Sequence, residues 1–158
     1  DAIYLGPGGK RSRARERAFH AAVAASGWVV AGNPHLAEVA NVPDKTSVIA
    51  TCLNTDIYRP PATRGEVPTI GWMGTAGNFP FLTRVLPSVL RALDRVPNAR
   101  FRVVSNAKVE GLAHPRVEQI PWTADREVEL LQSFDVGLMP LVDSPLTRGK
   151  CGFKMLQY

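Results

Sequence analysis

Apolar positions recur along this chain with two periods, and the switches between them outline its elements. Residues 10–26 place Phe19, Ala22 and Val23 on one face of a helix, and Gly27 supplies a stop. Trp28-Val29-Val30-Ala31 is a short apolar strand broken by Gly32-Asn33-Pro34. A small helix over His35–Ala40, a second short strand over Ser47–Ala50 and an irregular segment over Asn54–Arg59 follow. Pro60-Pro61-Ala62-Thr63-Arg64-Gly65-Glu66 reads as a linker, because paired prolines stop both helix and sheet.

Beyond the linker the pattern becomes β-α-β-β-α-β-α. Thr69–Met73 is an apolar strand ending in Gly74. Phe81, Leu82, Val85, Leu86, Val89, Leu90 and Leu93 then repeat at helical spacing. Pro87 falls inside that repeat, so the spacing predicts a kink or a helix that effectively starts there. Phe101–Ser105 and Val117–Ile120 are further strands, and Thr123 is placed to cap a helix carrying Val128, Leu130 and Leu131. Phe134–Leu141 is almost continuously apolar, as a parallel strand covered on both faces should be. The fold class expected is α/β, a Rossmann-like parallel sheet with flanking helices. The final helix carries no stop signal at Tyr158, so the chain reads as a fragment that is inactive by itself.

Composition adds less than the pattern does. With 45% hydrophobic and 21% charged residues, the chain can bury an ordinary core. No apolar run is long enough to cross a bilayer, and Asp1-Ala2-Ile3-Tyr4 does not open a secretory signal. Cys52 and Cys151 are far apart and match neither a CxxC nor a ligand pattern, which suggests reduced thiols in a cytoplasmic protein. His20, His35 and His114 have no ligand spacing, so no metal is expected.

The net charge of +5 is local. Lys10, Arg11, Arg13, Arg15 and Arg17 against Glu16 account for +4 of it. A solvated helix face is the first reading of this arm. Peripheral contact with anionic lipid on the inner membrane is the second. Nucleic acid ranks last and is not expected as a partner, since no aromatic stacking residues are interleaved.

In a parallel sheet of this kind ligands sit beyond the carboxyl ends of the strands. Gly74-Thr75, Ser105-Asn106, Pro121-Trp122 and Val142–Lys150 are therefore the segments to read. Gly74 would admit a close backbone approach, and Thr75 offers a hydroxyl and an N–H, although an ordinary turn needs the same residues. Ser105 could contact a base or ribose or merely cap a loop; Trp122 could be a wall for a base or part of the core. The last segment predicts a helix with Arg148 and Lys150 in its first turn and Lys154 one turn on, sharing a face with Lys150. Such a helix start would hold an anion, or would be a solvated basic surface.

Three blocks carry a resemblance: IGWMGTAGN at 70–78, VVAGNPHLAEVA followed by IATCLNTDIYRP, and FDVGLMPLVDSPLTRGKCGFKMLQY. Together they resemble bacterial group 1 (family four) glycosyltransferases of the two-Rossmann-domain GT-B fold, over nearly the whole chain. The resemblance implies a tail of an N-terminal acceptor domain at 1–58, an interdomain linker at 59–67, and an incomplete nucleotide-sugar-binding domain at 68–158. It implies an enzyme of the hexosyltransferase type, serving cell-surface polysaccharide synthesis. Sugar would pass from a nucleotide-sugar donor to an acceptor the sequence does not identify, with retention and without metal or cofactor. Donor-binding positions carried over are Gly74, Thr75, Ser105, Trp122, Arg148, Lys150 and Lys154; no catalytic base is assigned. Where many members carry two glutamates eight apart, this chain has Gly149 and Gln157. A non-catalytic nucleotide- or phosphate-binding module remains the alternative.

Overall fold

The computed structural model describes residues 12–158. These divide into two compact units, residues 12–52 with Val142–Phe153, and Leu53–Leu141 with Lys154–Tyr158.

In the smaller unit, helix α1 (Arg13–Ala25) is opened by Ser12, whose hydroxyl accepts from the Arg15 N–H. Lys45 closes it, its Nζ donating to the carbonyls of Val23 at 2.8 Å, Ala24 at 3.2 Å and Ser26 at 2.7 Å. One cation thus joins the Ser26 N–H and hydroxyl in serving the oxygens at the end of the helix. Strands β1 (Val29–Ala31) and β2 (Thr46–Val48) pair in parallel, with helix α2 (Pro34–Ala40) between them in sequence. Arg13, Arg15 and Arg17 of the basic arm are exposed on α1, while Lys10 and Arg11 lie outside the described residues.

The larger unit is built on four parallel strands: β3 (Thr69–Met73), β4 (Arg100–Ser105), β5 (Val117–Pro121) and β6 (Val136–Gly137), in the order β5-β4-β3-β6. Each unit is thus α/β with a parallel sheet, the Rossmann-like class expected from the alternation. Successive residues of a strand face opposite sides, and both sides of this sheet are covered. Trp72, Phe101 and Val103 pack with Leu82, Val89 and Leu93 of helix α3 (Phe79–Arg95). Met73 and Val104 pack on the other side with Leu130 and Leu131 of helix α4 (Glu127–Gln132).

Two local expectations are corrected, and of the two alternatives at Pro87 one is removed: the helix does not start there. Helix α3 begins at Phe79, eight residues before Pro87, and continues through it to Arg95. Pro87 is exposed, and the carbonyl its missing N–H leaves open belongs to exposed Thr83, where water can reach it. Thr123 supplies no side-chain cap; a short 3-10 turn, Ala124–Arg126, precedes α4. The last strand pairs over two residues only. The Leu138 N–H still donates to the Gly71 carbonyl at 2.8 Å, and beyond it the ladder is replaced by the hydroxyl of Tyr158, which accepts from the Met73 N–H at 3.1 Å and donates to the Leu138 carbonyl at 3.2 Å.

That substitution depends on two glycines. A Cβ at Gly71 would overlap the Phe134 ring, and one at Gly137 would overlap the Tyr158 ring. These two rings lie 6.1 Å apart at 56°, a tilted pair on the glycine surface of β3 and β6. Gly71→Ala should therefore lower stability by about 1–3 kcal/mol, the usual cost of overpacking a filled core. Gly65→Ala, where an added Cβ meets nothing within 4 Å, should be near neutral. Urea unfolding of both variants checks this. Equal midpoints would mean that the Phe134 ring gives way freely.

Candidate functional site at the carboxyl edge of the larger sheet

Because β3, β4 and β5 are adjacent and parallel, the residues that follow them meet at one edge. Gly74 donates its N–H to the Val104 carbonyl at 3.1 Å and so stays within the sheet. An added Cβ there would come within 2.7 Å of the Trp72 ring, so this glycine is required by packing whatever it does for a ligand. Thr75 is exposed; its hydroxyl accepts from Asn78 Nδ2 at 3.2 Å, and its carbonyl accepts from the Asn78 N–H at 2.9 Å. Ser105 is buried, with its hydroxyl 3.3 Å from Asn106 Oδ1. That same oxygen accepts from the Ala76 N–H at 2.9 Å, tying the loop after β3 to the loop after β4.

Trp122 continues the row. Its N–H donates to the Ser105 carbonyl at 2.9 Å, and its indole N–H donates to Glu127 Oε2 at 2.7 Å. The residue is nevertheless 40% exposed. Glu127 is the centre of a larger constellation. Its Oε1 accepts from the Tyr58 hydroxyl at 2.8 Å and from Gln157 Nε2 at 2.7 Å. Gln157 is buried, and its own Oε1 accepts from Lys154 Nζ at 2.6 Å. Lys154 and Trp122, both candidate donor-binding residues, are thus joined through Gln157 and Glu127.

The electrostatics follow from these contacts. Partial burial pulls the Glu127 pKa upward. Hydrogen bonds from Tyr58, Trp122 and Gln157 and the charge of Lys154 outweigh that pull, and hold the group below the usual carboxylate range. The Tyr58 phenol is raised, first by donating to Glu127. Burial lowers Lys154, and Glu127 opposes that shift.

Arg148 and Lys150 belong to the smaller unit. The helix expected to carry both, with Lys154 on the same face, is two short helices instead. Helix α5 (Pro145–Arg148) and helix α6 (Phe153–Gln157) are separated by Gly149–Gly152, with Gly152 at φ +69°. A positive φ is a conformation that glycine adopts and a continuing helix does not. Ser144 and Thr147 form a capping box at the start of α5. Arg148 grips Asp143 through both Nε and Nη2 at 2.6 Å. Asn33 caps α2 by accepting from the Leu36 N–H at 2.8 Å, and donates to the carbonyls of Arg148 at 3.1 Å and Lys150 at 3.4 Å. Burial lowers the Lys150 pKa.

A cavity of about 510 Å³ reaches from Tyr58 and Gln157, the partners of Glu127, to the amino edge of the sheet, where Arg59, Arg64, Arg100, Thr69 and Asp135 are among its lining. Its arginines are largely committed: Arg59 to Asp56, and Arg100 and Arg102 to Glu118. Among the described residues no cluster of His, Cys, Asp and Glu could hold a metal ion, and no helix is long and apolar enough to cross a membrane.

A carboxylate whose pKa is depressed by folding contributes stability above its unfolded value, and loses it as pH falls through the folded one. The stability difference between wild type and Glu127→Gln should therefore be largest near neutrality and shrink below about pH 4.5, the ordinary glutamate value. Denaturant titrations from neutral to acid pH check this; a difference constant with pH would show that the charge is immaterial. No protein-family model matches the chain and no curated protein matches it, so function is read from this geometry and from the sequence motifs.

Proposed function

We propose that the chain is part of a glycosyltransferase that binds a nucleotide-sugar donor at the carboxyl edge of the larger sheet. The observation that carries the reading is the convergence there of the Gly74-Thr75 loop, the Ser105-Asn106 loop and the exposed Trp122 on three adjacent parallel strands. Crevices at such edges are where open parallel sheets take nucleotides. The sequence resemblance supplies the reaction. Sugar transfer from a nucleotide donor builds negative charge on the leaving diphosphate, and a fixed cation such as Lys154 stabilises it by preorganised electrostatics.

A second reading, a nucleotide-binding module without turnover, draws on one feature of the same site. Its carboxylate, Glu127, accepts from three donors and is poorly placed to act as a general base. Assays of sugar transfer and of donor hydrolysis separate the two readings.

Lys154→Met tests the binding claim. A charge-assisted contact shielded from water contributes about 1.5–3 kcal/mol. Its loss should weaken nucleoside diphosphate binding about tenfold to a hundredfold, at 1.4 kcal/mol per decade. Calorimetric titration of UDP, GDP and ADP into wild type and variant reads this directly. Unchanged affinity for the preferred nucleotide would remove Lys154 from the site.

A further inference from the structure

We infer that Glu127 is a positioning residue that holds the Trp122 indole as a fixed stacking platform for the nucleobase of a nucleoside diphosphate. The inference rests on the nucleotide reading above, and adds a role that the sequence motifs do not assign.

Trp122 is held at two points. The backbone N–H is bound to the Ser105 carbonyl at 2.9 Å and the indole N–H to Glu127 at 2.7 Å. With both fixed, the ring has little freedom about its side-chain bonds, yet 40% of the residue stays open to solvent. An exposed aromatic ring immobilised before binding has less order to acquire when a flat partner stacks on it. Every base presents a π-face, so such a platform suits the heteroaromatic end of a nucleotide.

The contacts of Glu127 argue that it acts through Trp122 rather than by touching the ligand. Oε1 already accepts from Tyr58 and Gln157, and Oε2 from Trp122. A carboxylate near a diphosphate would repel it unless its charge were offset. Three donors and the nearby Lys154 provide that offset. Gln157 is buried and clamped between Lys154 and Glu127, so the carboxylate itself has a fixed position. The chain of contacts runs Lys154–Gln157–Glu127–Trp122 and ends on the exposed ring.

A double-mutant cycle tests this. UDP, GDP, ADP and inorganic pyrophosphate are titrated calorimetrically into wild type, Glu127→Gln, Trp122→Phe and the double variant. Thermal melts confirm that each is folded. Glutamine keeps the size of Glu127 but cannot accept from Tyr58, Gln157 and Trp122 together, and phenylalanine keeps a ring without the N–H. Each single variant should bind the preferred nucleoside diphosphate about fivefold to twentyfold more weakly, within the range one base stack contributes. The double variant should be no weaker than the worse single one, and pyrophosphate, which has no base, should bind all four alike. If Glu127→Gln fails to fold, Trp122→Phe alone must show the loss for nucleotide and not for pyrophosphate.

Full additivity, wild-type affinity in Glu127→Gln, or a parallel loss for pyrophosphate would each overturn the positioning role. In those cases wild type still binds nucleotide and the broader reading stands. If wild type binds none of the three nucleotides, that reading fails and takes this role with it.

Discussion

One partly buried carboxylate joins three segments of the larger unit that are remote in sequence. Glu127 accepts from Tyr58 just before Pro60-Pro61, from Trp122 after β5 and from Gln157 on α6, while standing at the start of α4. A charge removed from water is costly unless it is hydrogen-bonded, and here the bonds outweigh the burial, as the depressed pKa records. The same contacts seat the last residues of the chain. Gln157 is fixed by Glu127, and next to it Tyr158 reaches the Met73 N–H and the Leu138 carbonyl, taking the place of a rung between β3 and β6. Glycines at positions 71 and 137 make room for the rings that accomplish this.

This arrangement bears on the proposed site in two ways. It commits residues that could otherwise move, so that the exposed Trp122 and the half-buried Lys154 share one frame. It also explains how Glu127 can stand beside a cluster proposed to take an anion: its charge is offset by three donors and a lysine. The amino edge of the sheet differs, because Arg59, Arg100 and Arg102 there already answer carboxylates of their own.

The fold class was legible because periodicity survives translation into a sheet. Phe101, Val103 and Val104 divide between two faces as alternate strand residues must, and Leu82, Val89 and Leu93 line one side of α3. Where the pattern misled, a local effect overrode it. The apolar run Phe134–Leu141 promised a long strand, but pairing stops at Gly137, with Pro140 unable to donate and Tyr158 occupying the next rung. The promised helix through Lys150 and Lys154 is interrupted over Gly149–Gly152, and the positive φ of Gly152 is something the spacing of charges cannot reveal. Trp122 and Lys154 were recognisable as polar or aromatic residues near strand and helix ends. Glu127 was not, since α4 is legible from Val128, Leu130 and Leu131 alone, and nothing in its spacing announces Tyr58 or Gln157 as partners. The replacement of an expected glutamate by Gln157 was the one available hint, because an amide there can donate to a carboxylate supplied from elsewhere.

The central claim is that the carboxyl edge of the larger sheet receives a nucleotide. Amide and indole NMR shifts recorded while the preferred nucleoside diphosphate is added test it most directly. The account predicts the largest changes at Gly74, Thr75, Asn106 and the indole N–H of Trp122, with the amino-edge residues Thr69 and Arg100 unmoved. Shifts centred on Thr69, Arg100 and Asp135, with Trp122 silent at saturation, would contradict it.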